Sequence, residues 1–138
     1  MLDRTVDTVD MLTAAPALPG PPPADLGLPL RETTDQDHPR IARALRHRDE
    51  VRAWTVPGGT VLTGRGVAGR WEVAVEVDPV ARGAGLGRRL ALAARHLVPP
   101  GTAVWAQIAP GNAASVRAFT AAGFVPMGAE ALLPARDD

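Results

Sequence analysis

The chain has 138 residues, 46% of them apolar, enough for one hydrophobic core and too short for two. Fifteen basic side chains balance fifteen acidic ones, so charge gives no reason to expect a nucleic acid or an anionic membrane as partner. Cysteine is absent, which excludes disulfides, thiolate catalysis and Cys-based zinc sites.

Residues 2–12 place Leu2, Val6, Val9 and Leu12 at near-helical spacing and predict a short amphipathic helix. The apolar stretch Met11–Ala17 follows acids and runs into prolines, unlike a secretory signal. No apolar run approaches the ~20 residues of a membrane-spanning helix, so a soluble, cytoplasmic protein is expected. Five prolines stand between Ala15 and Pro23, favouring extended backbone and suggesting a linker or a wrapping segment. The expected organisation is therefore an N-terminal segment, 1–30, followed by a domain, 31–138. Through Asp37 seven acids face only Arg4 and Arg31, and the remainder is net positive. That balance suits a phosphorylated ligand, or solubility alone.

A second helix is expected from Pro39 to about Arg48, with Pro39 at its first position and Ile41 and Leu45 facing inward. Arg40, Arg43 and Arg46 share another face, which reads as a solvated surface or as a contact for an acidic substrate or RNA. Val51–Val56 reads as a strand, Pro57-Gly58-Gly59 as a turn and Thr60–Thr63 as the partner strand. Trp71, Val73, Val75 and Val77 then alternate with Glu72, Ala74 and Glu76, completing an antiparallel meander. From there the order is helix (Leu86, Leu90, Ala94, Leu97), strand (Ala103–Ile108), helix (from the cap Asn112 to Gly123) and a last strand (Pro126–Leu133). Gly123 followed by Phe124 matches a Schellman stop. A meander followed by helix–strand–helix–strand predicts an α/β fold with a mixed sheet.

Chemistry concentrates where the meander meets the next helix, at Arg82, Gly83, Gly85, Gly87, Arg88 and Arg89. Amide hydrogens of such a turn, with those of the first helical turn, form a cradle for an anion. Arg88 and Arg89 begin a helix whose macrodipole disfavours cations by roughly 0.3–1 kcal/mol each, and no Ser, Thr, Asp or Asn caps it. A bound pyrophosphate would satisfy the donors and reverse that charge effect. The spacing is neither a P-loop nor the Gly-x-Gly-x-x-Gly of a dinucleotide fold, which leaves a nucleotide or phosphosugar ligand open on the glycines alone.

Val75-Glu-Val-Asp-Pro-Val-Ala-Arg82-Gly-Ala-Gly85-Leu-Gly87 resembles motif A of the GNAT superfamily of N-acetyltransferases. Asn112-Ala-Ala-Ser115-Val-Arg-Ala-Phe119-Thr-Ala-Ala-Gly123-Phe124 resembles its motif B. The likeness spans residues 71–133. It implies a GNAT-like mixed central sheet flanked by helices, and transfer of an acetyl group from acetyl-CoA, or another acyl-CoA, to a small-molecule or peptide amine. It also implies that Arg82, Gly83, Gly85, Gly87 and Arg88 hold the pyrophosphate. Val75 and Val77 would pair with the pantetheine amides, and Asn112, Ser115 and Phe119 would line the pantetheine arm. Asn112 is equally read as a helix cap, and Ser115 as a packing residue.

Direct attack of an amine on a thioester needs a base and donors for the developing oxyanion. Glu72 and Glu76 are the base candidates, on one face of their strand and about 13 Å apart at ~3.3 Å per residue. The resemblance favours Glu72, which lies near where some family members place a catalytic Glu, acting directly or through a water; the alternative for each is a solvent-facing strand carboxylate or an arginine partner. The motif B tyrosine is Phe119 here, and no tyrosine exists elsewhere. Water or His96 replaces its proton, the thiolate leaves unassisted, or the chain is a non-catalytic acyl-CoA-binding or interaction module. His38, His47 and His96 lack metal-ligand spacing, so no metal is expected. A homodimer is compatible with the sequence.

Overall fold

The computed structural model describes residues 8–35, 37–45, 48–109 and 111–132. Seven strands form one mixed sheet: β1 (Thr8–Pro16), β2 (Arg31–Thr33), β3 (Asp49–Val56), β4 (Gly59–Arg65), β5 (Trp71–Val77), β6 (Ala103–Ile108) and β7 (Val125–Leu132). Their order is β2-β3-β4-β5-β6-β1-β7. All neighbours are antiparallel except β5 and β6. Three helices accompany them: α1 (Pro39–Leu45), α2 (Leu86–Ala94) and α3 (Ala113–Ala121).

Alternation explains the meander and sorts its side chains by face. Val61 and Val73 bury under α2 and α3 with Leu90, Ala94, Val104, Ala106, Phe119 and Phe124. On the opposite face Ala53 and Leu62 pack with Ile41 of α1. One seven-residue helix covers that face among the described residues, against two helices on the other. The thin side is where a second cavity opens.

α2 forms because Leu86, Leu90 and Ala94 recur every four residues in an alanine-rich segment of high helix propensity. α3 is delimited at both ends as its sequence predicts. Asn112 Oδ1 accepts from the Ser115 amide at 3.1 Å. At the other end the Phe124 amide donates to Phe119 O and the Gly123 amide to Thr120 O, with Gly123 at φ +97°, a Schellman stop. Phe124 then packs edge-on against Phe119, with ring centroids 5.0 Å apart.

The expected N-terminal helix is overturned over residues 8–12; residues 1–7 lie outside the described residues. Thr8–Pro16 is a strand inserted between β6 and β7, with Met11 opposite Ile108 and Ala14 opposite Val125. The spacing of Val9 and Leu12 suited a helix, but Thr8, Val9 and Thr13 favour a pleated surface, and two sheet partners outweigh local periodicity. A bulge between Leu12 and Thr13 hides the two-residue alternation. The prolines beyond wrap the end of α2: Leu18 N–H donates to Arg95 O at 2.7 Å, and Arg95 Nε to Pro16 O at 3.0 Å. Residues 8–16 are thus part of the sheet and not a separate N-terminal segment. The three-residue strand β2, joined to β3 by Arg31 opposite Thr55, is an addition to the expected elements.

Candidate functional site

β5 and β6 pair only at Trp71–Val104 and Glu72–Trp105, although both strands run on for several residues. Beyond Glu72 they part, and among the described residues no strand pairs with that edge of β5. The α2 and α3 N-termini stand at the carboxyl ends of these two parallel strands, where open α/β sheets bind ligands. A cleft lies on each face of the gap, and the two share Val75, Asn112, Ser115 and Phe119 in their walls.

The first cleft, about 860 Å³, lies between the glycine turn and α3. Gly85 precedes α2 in the left-handed conformation, φ +77°, and no side chain caps the helix. At the turn, Ala81 N–H donates to Asp78 O, Arg82 N–H to Pro79 O and Arg89 N–H to Gly85 O. Between them, the amides from Gly83 to Arg88 have no partner among the described residues. A Cβ added at Gly83 or Gly85 would meet no protein atom within 4 Å, so the glycines leave open space in front of unpaired donors. That space is a seat for an anion. Arg82 and Arg88, both exposed, line it. Arg89 does not: its Nη1 donates to Leu26 O at 3.1 Å and pins the preceding loop.

The structure brings Val75, Glu76, Val77, Arg82, Gly83, Gly85, Gly87, Arg88, Asn112, Ser115 and Phe119 to this one cleft. Sequence reasoning missed the facing wall. Ala114, Arg117, Ala118 and Ala121 form one stripe of α3, with small side chains leaving width and one guanidinium directed at the cleft. Spacing of three and four residues was the signal that could have found them.

The second cleft, about 480 Å³, opens on the α1 face. Glu72 lines it but is only 7% exposed, and its two oxygens are both taken: Arg48 Nε donates to Oε1 at 2.7 Å and Arg70 Nη2 to Oε2 at 2.9 Å. Arg70 also lies 5.3 Å from the centre of the Trp105 ring. This geometry makes Glu72 the centre of an ion triad, the arginine-partner reading of that residue. Glu76, the other base candidate, lines the first cleft and not the second. His96 is far from replacing the missing tyrosine: it lines neither cleft, and Nδ1 sits 3.1 Å from Pro19 O, fastening the proline segment. His38 lines neither cleft, and His47 lies outside the described residues.

A splayed parallel pair, a glycine turn opening a helix and a cleft on each face of the sheet define the GNAT type of α/β fold. Residues 73–131 match the family model described as FR47-like protein. Across 91% of this chain the fold matches, with a TM-score of 0.59 and 19% identity, the crystal structure of a candidate acetyltransferase of the GNAT family from Novosphingobium aromaticivorans. The chain spans 64% of the length of that protein. No curated protein matches the sequence. The GNAT resemblance of motifs A and B is thus borne out, and so is the mixed sheet it implied. Among the described residues no helix is long and apolar enough to cross a membrane.

Proposed function

We propose that this protein is an N-acetyltransferase that moves an acetyl group from acetyl-CoA, or a related acyl group from its CoA thioester, to an amine. The observation that carries the reading is the gap between β5 and β6, which joins an anion cradle on one face to a partly apolar cleft on the other. A ligand with a diphosphate at one end and a reactive thioester at the other fits that layout. The amides of Gly83–Arg88, with Arg82 and Arg88, would hold the diphosphate, and the open edge of β5 at Val75 and Val77 would receive the amides of the arm. Asn112, Ser115 and Phe119 would flank the arm where it crosses the sheet. The thioester supplies the activated acyl carbon. The acceptor ammonium sheds one proton before attack; the C–N bond forms, the C–S bond breaks, and the second proton leaves with CoA as its thiol.

Because the chain has no Cys, thiol released from acetyl-CoA in the presence of an amine reports on CoA alone. Release that depends on both an amine and the protein is the expected result, and its loss in Gly85→Asp ties it to the cradle. No binding of acetyl-CoA at micromolar protein would overturn the proposal. Two observations favour a second reading, an acyl-CoA-binding module without chemistry: both oxygens of Glu72 are held by arginine, and Phe119 stands where the family places an acid. Tight acetyl-CoA binding with no thiol release across a broad amine panel would select it.

A further inference from the structure

The second cleft has a charge pattern that the ion triad does not exhaust. Among the described residues, four charged ones line it: Asp10, Glu72, Arg43 and Arg48. Glu72 is balanced by Arg48 and by Arg70 behind it. Among the described residues, one carboxylate and one guanidinium remain. Asp10, on β1, is only 9% exposed, and its carboxylate has no hydrogen-bond or ion-pair partner among the described residues. Arg43, near the end of α1, is exposed and has no partner among them either. Between these two elements lie Leu62, Trp105 and Ile108, an apolar floor.

A carboxylate on a largely buried residue, with no protein donor beside it, keeps its hydrogen-bonding capacity for whatever occupies the cleft it faces. It is retained where a cation arrives to complete it, and here it faces a cavity. Resting on the acyl-transfer reading above, we infer that this cleft is the acceptor site and that its acceptor is a small zwitterion of the amino-acid class. Asp10 takes hydrogen bonds from the ammonium, and Arg43 pairs with the acidic group at the other end. The guanidinium fork suits a planar carboxylate in a bidentate pair. A volume near 480 Å³ admits a molecule of that size. The arginine stripe of α1 thereby acquires a role at Arg43, and β1 contributes the carboxylate to the site.

The test measures thiol release from acetyl-CoA with the nineteen amino acids that carry no thiol, each beside its α-amide and its decarboxylated amine. At least a tenfold preference in kcat/KM for the acid over its amide is expected for the best acceptors. Arg43→Gln, at an exposed helix position, should shrink that preference to threefold or less through KM. Asp10→Asn should lower kcat/KM at least tenfold for acids and amides alike, with acetyl-CoA affinity unchanged; a melting curve checks that the variant folds. Amides that serve as well as acids, or a preference that survives Arg43→Gln, would overturn the inference. If no amine releases thiol, calorimetric titration of the same amino acids into the CoA-saturated protein decides separately. Binding abolished by either variant supports the site even where the transfer reading has failed, and binding by none of the amino acids refutes it.

Discussion

Replacing Gly85 by aspartate sets the needs of the fold against those of the ligand. Gly85 holds φ +77° immediately before α2, a conformation that aspartate enters at a cost of roughly 1 kcal/mol. The new side chain points into space that is empty of protein to 4 Å, so packing adds no cost. A carboxylate ahead of a helix with no acid in its first turn and no cap regains roughly 0.3–1 kcal/mol. The terms nearly cancel, and the melting temperature should move by no more than about 3–5 °C. The ligand experiences the opposite sign. A carboxylate about 4 Å from one phosphate charge costs roughly 1 kcal/mol in water and roughly 4 kcal/mol at an effective dielectric near 20. Acetyl-CoA affinity should therefore fall roughly 5- to 1000-fold. Calorimetric titration beside thermal melting reads both quantities. A variant that melts normally and keeps its affinity within about threefold would refute the cradle.

Glu72→Gln leaves two guanidinium groups around a neutral amide; after discounting for their partial exposure, it should cost roughly 2–4 kcal/mol of stability, and an unchanged melting temperature would count against the triad. A Cβ at Gly66 would lie 2.5 Å from Glu72 Oε1, so Gly66→Ala should disturb the same triad. Combined with Glu72→Gln, its cost should be less than additive by at least ~0.5 kcal/mol in denaturant titrations, whereas full additivity would deny the coupling. Across the β2–β3 pair, the Arg52 guanidinium holds the Glu32 carboxyl below its ordinary 4.5. Because the folded value is the lower one, the pair stabilises above about that pH and its contribution is lost as the pH falls through the folded value. With 44% and 56% of the two side chains exposed, the contribution is at most roughly 0.5 kcal/mol. The small stability difference between the native chain and Glu32→Gln should thus be present at neutral pH and absent in strong acid; a gap that persists in acid contradicts it.

What was legible in the sequence was what local chemistry decides. Trp71–Val77 and Ala103–Ile108 carry their alternation between glycine and proline boundaries, and both strands begin and end where the pattern does. Asn112 and Gly123-Phe124 frame α3 through bonds made within a few residues. The glycine turn was legible because its conformational demand is written into residue type. The strand β1 was not, since the spacing of Val9 and Leu12 serves a helix equally well and its true partners, Ile108 and Val125, come from the far end of the chain. Misplacing β1 concealed Asp10, a carboxylate that is informative only once it is known to face a cavity. The fate of Glu72 was half legible. Arg70, two residues away in the sequence, was in view, whereas Arg48 arrives from the far side of the meander.

The central claim is that backbone amides of Gly83–Arg88 bind the diphosphate of CoA, and amide NMR on the full chain observes those groups directly. Titration with CoA should shift the resonances of Gly83, Gly85, Leu86 and Gly87 most strongly and in step with the binding isotherm, while the amides of β2 and β3 stay in place. Saturable CoA binding that left those four amides unmoved, or the absence of any binding, would contradict the account.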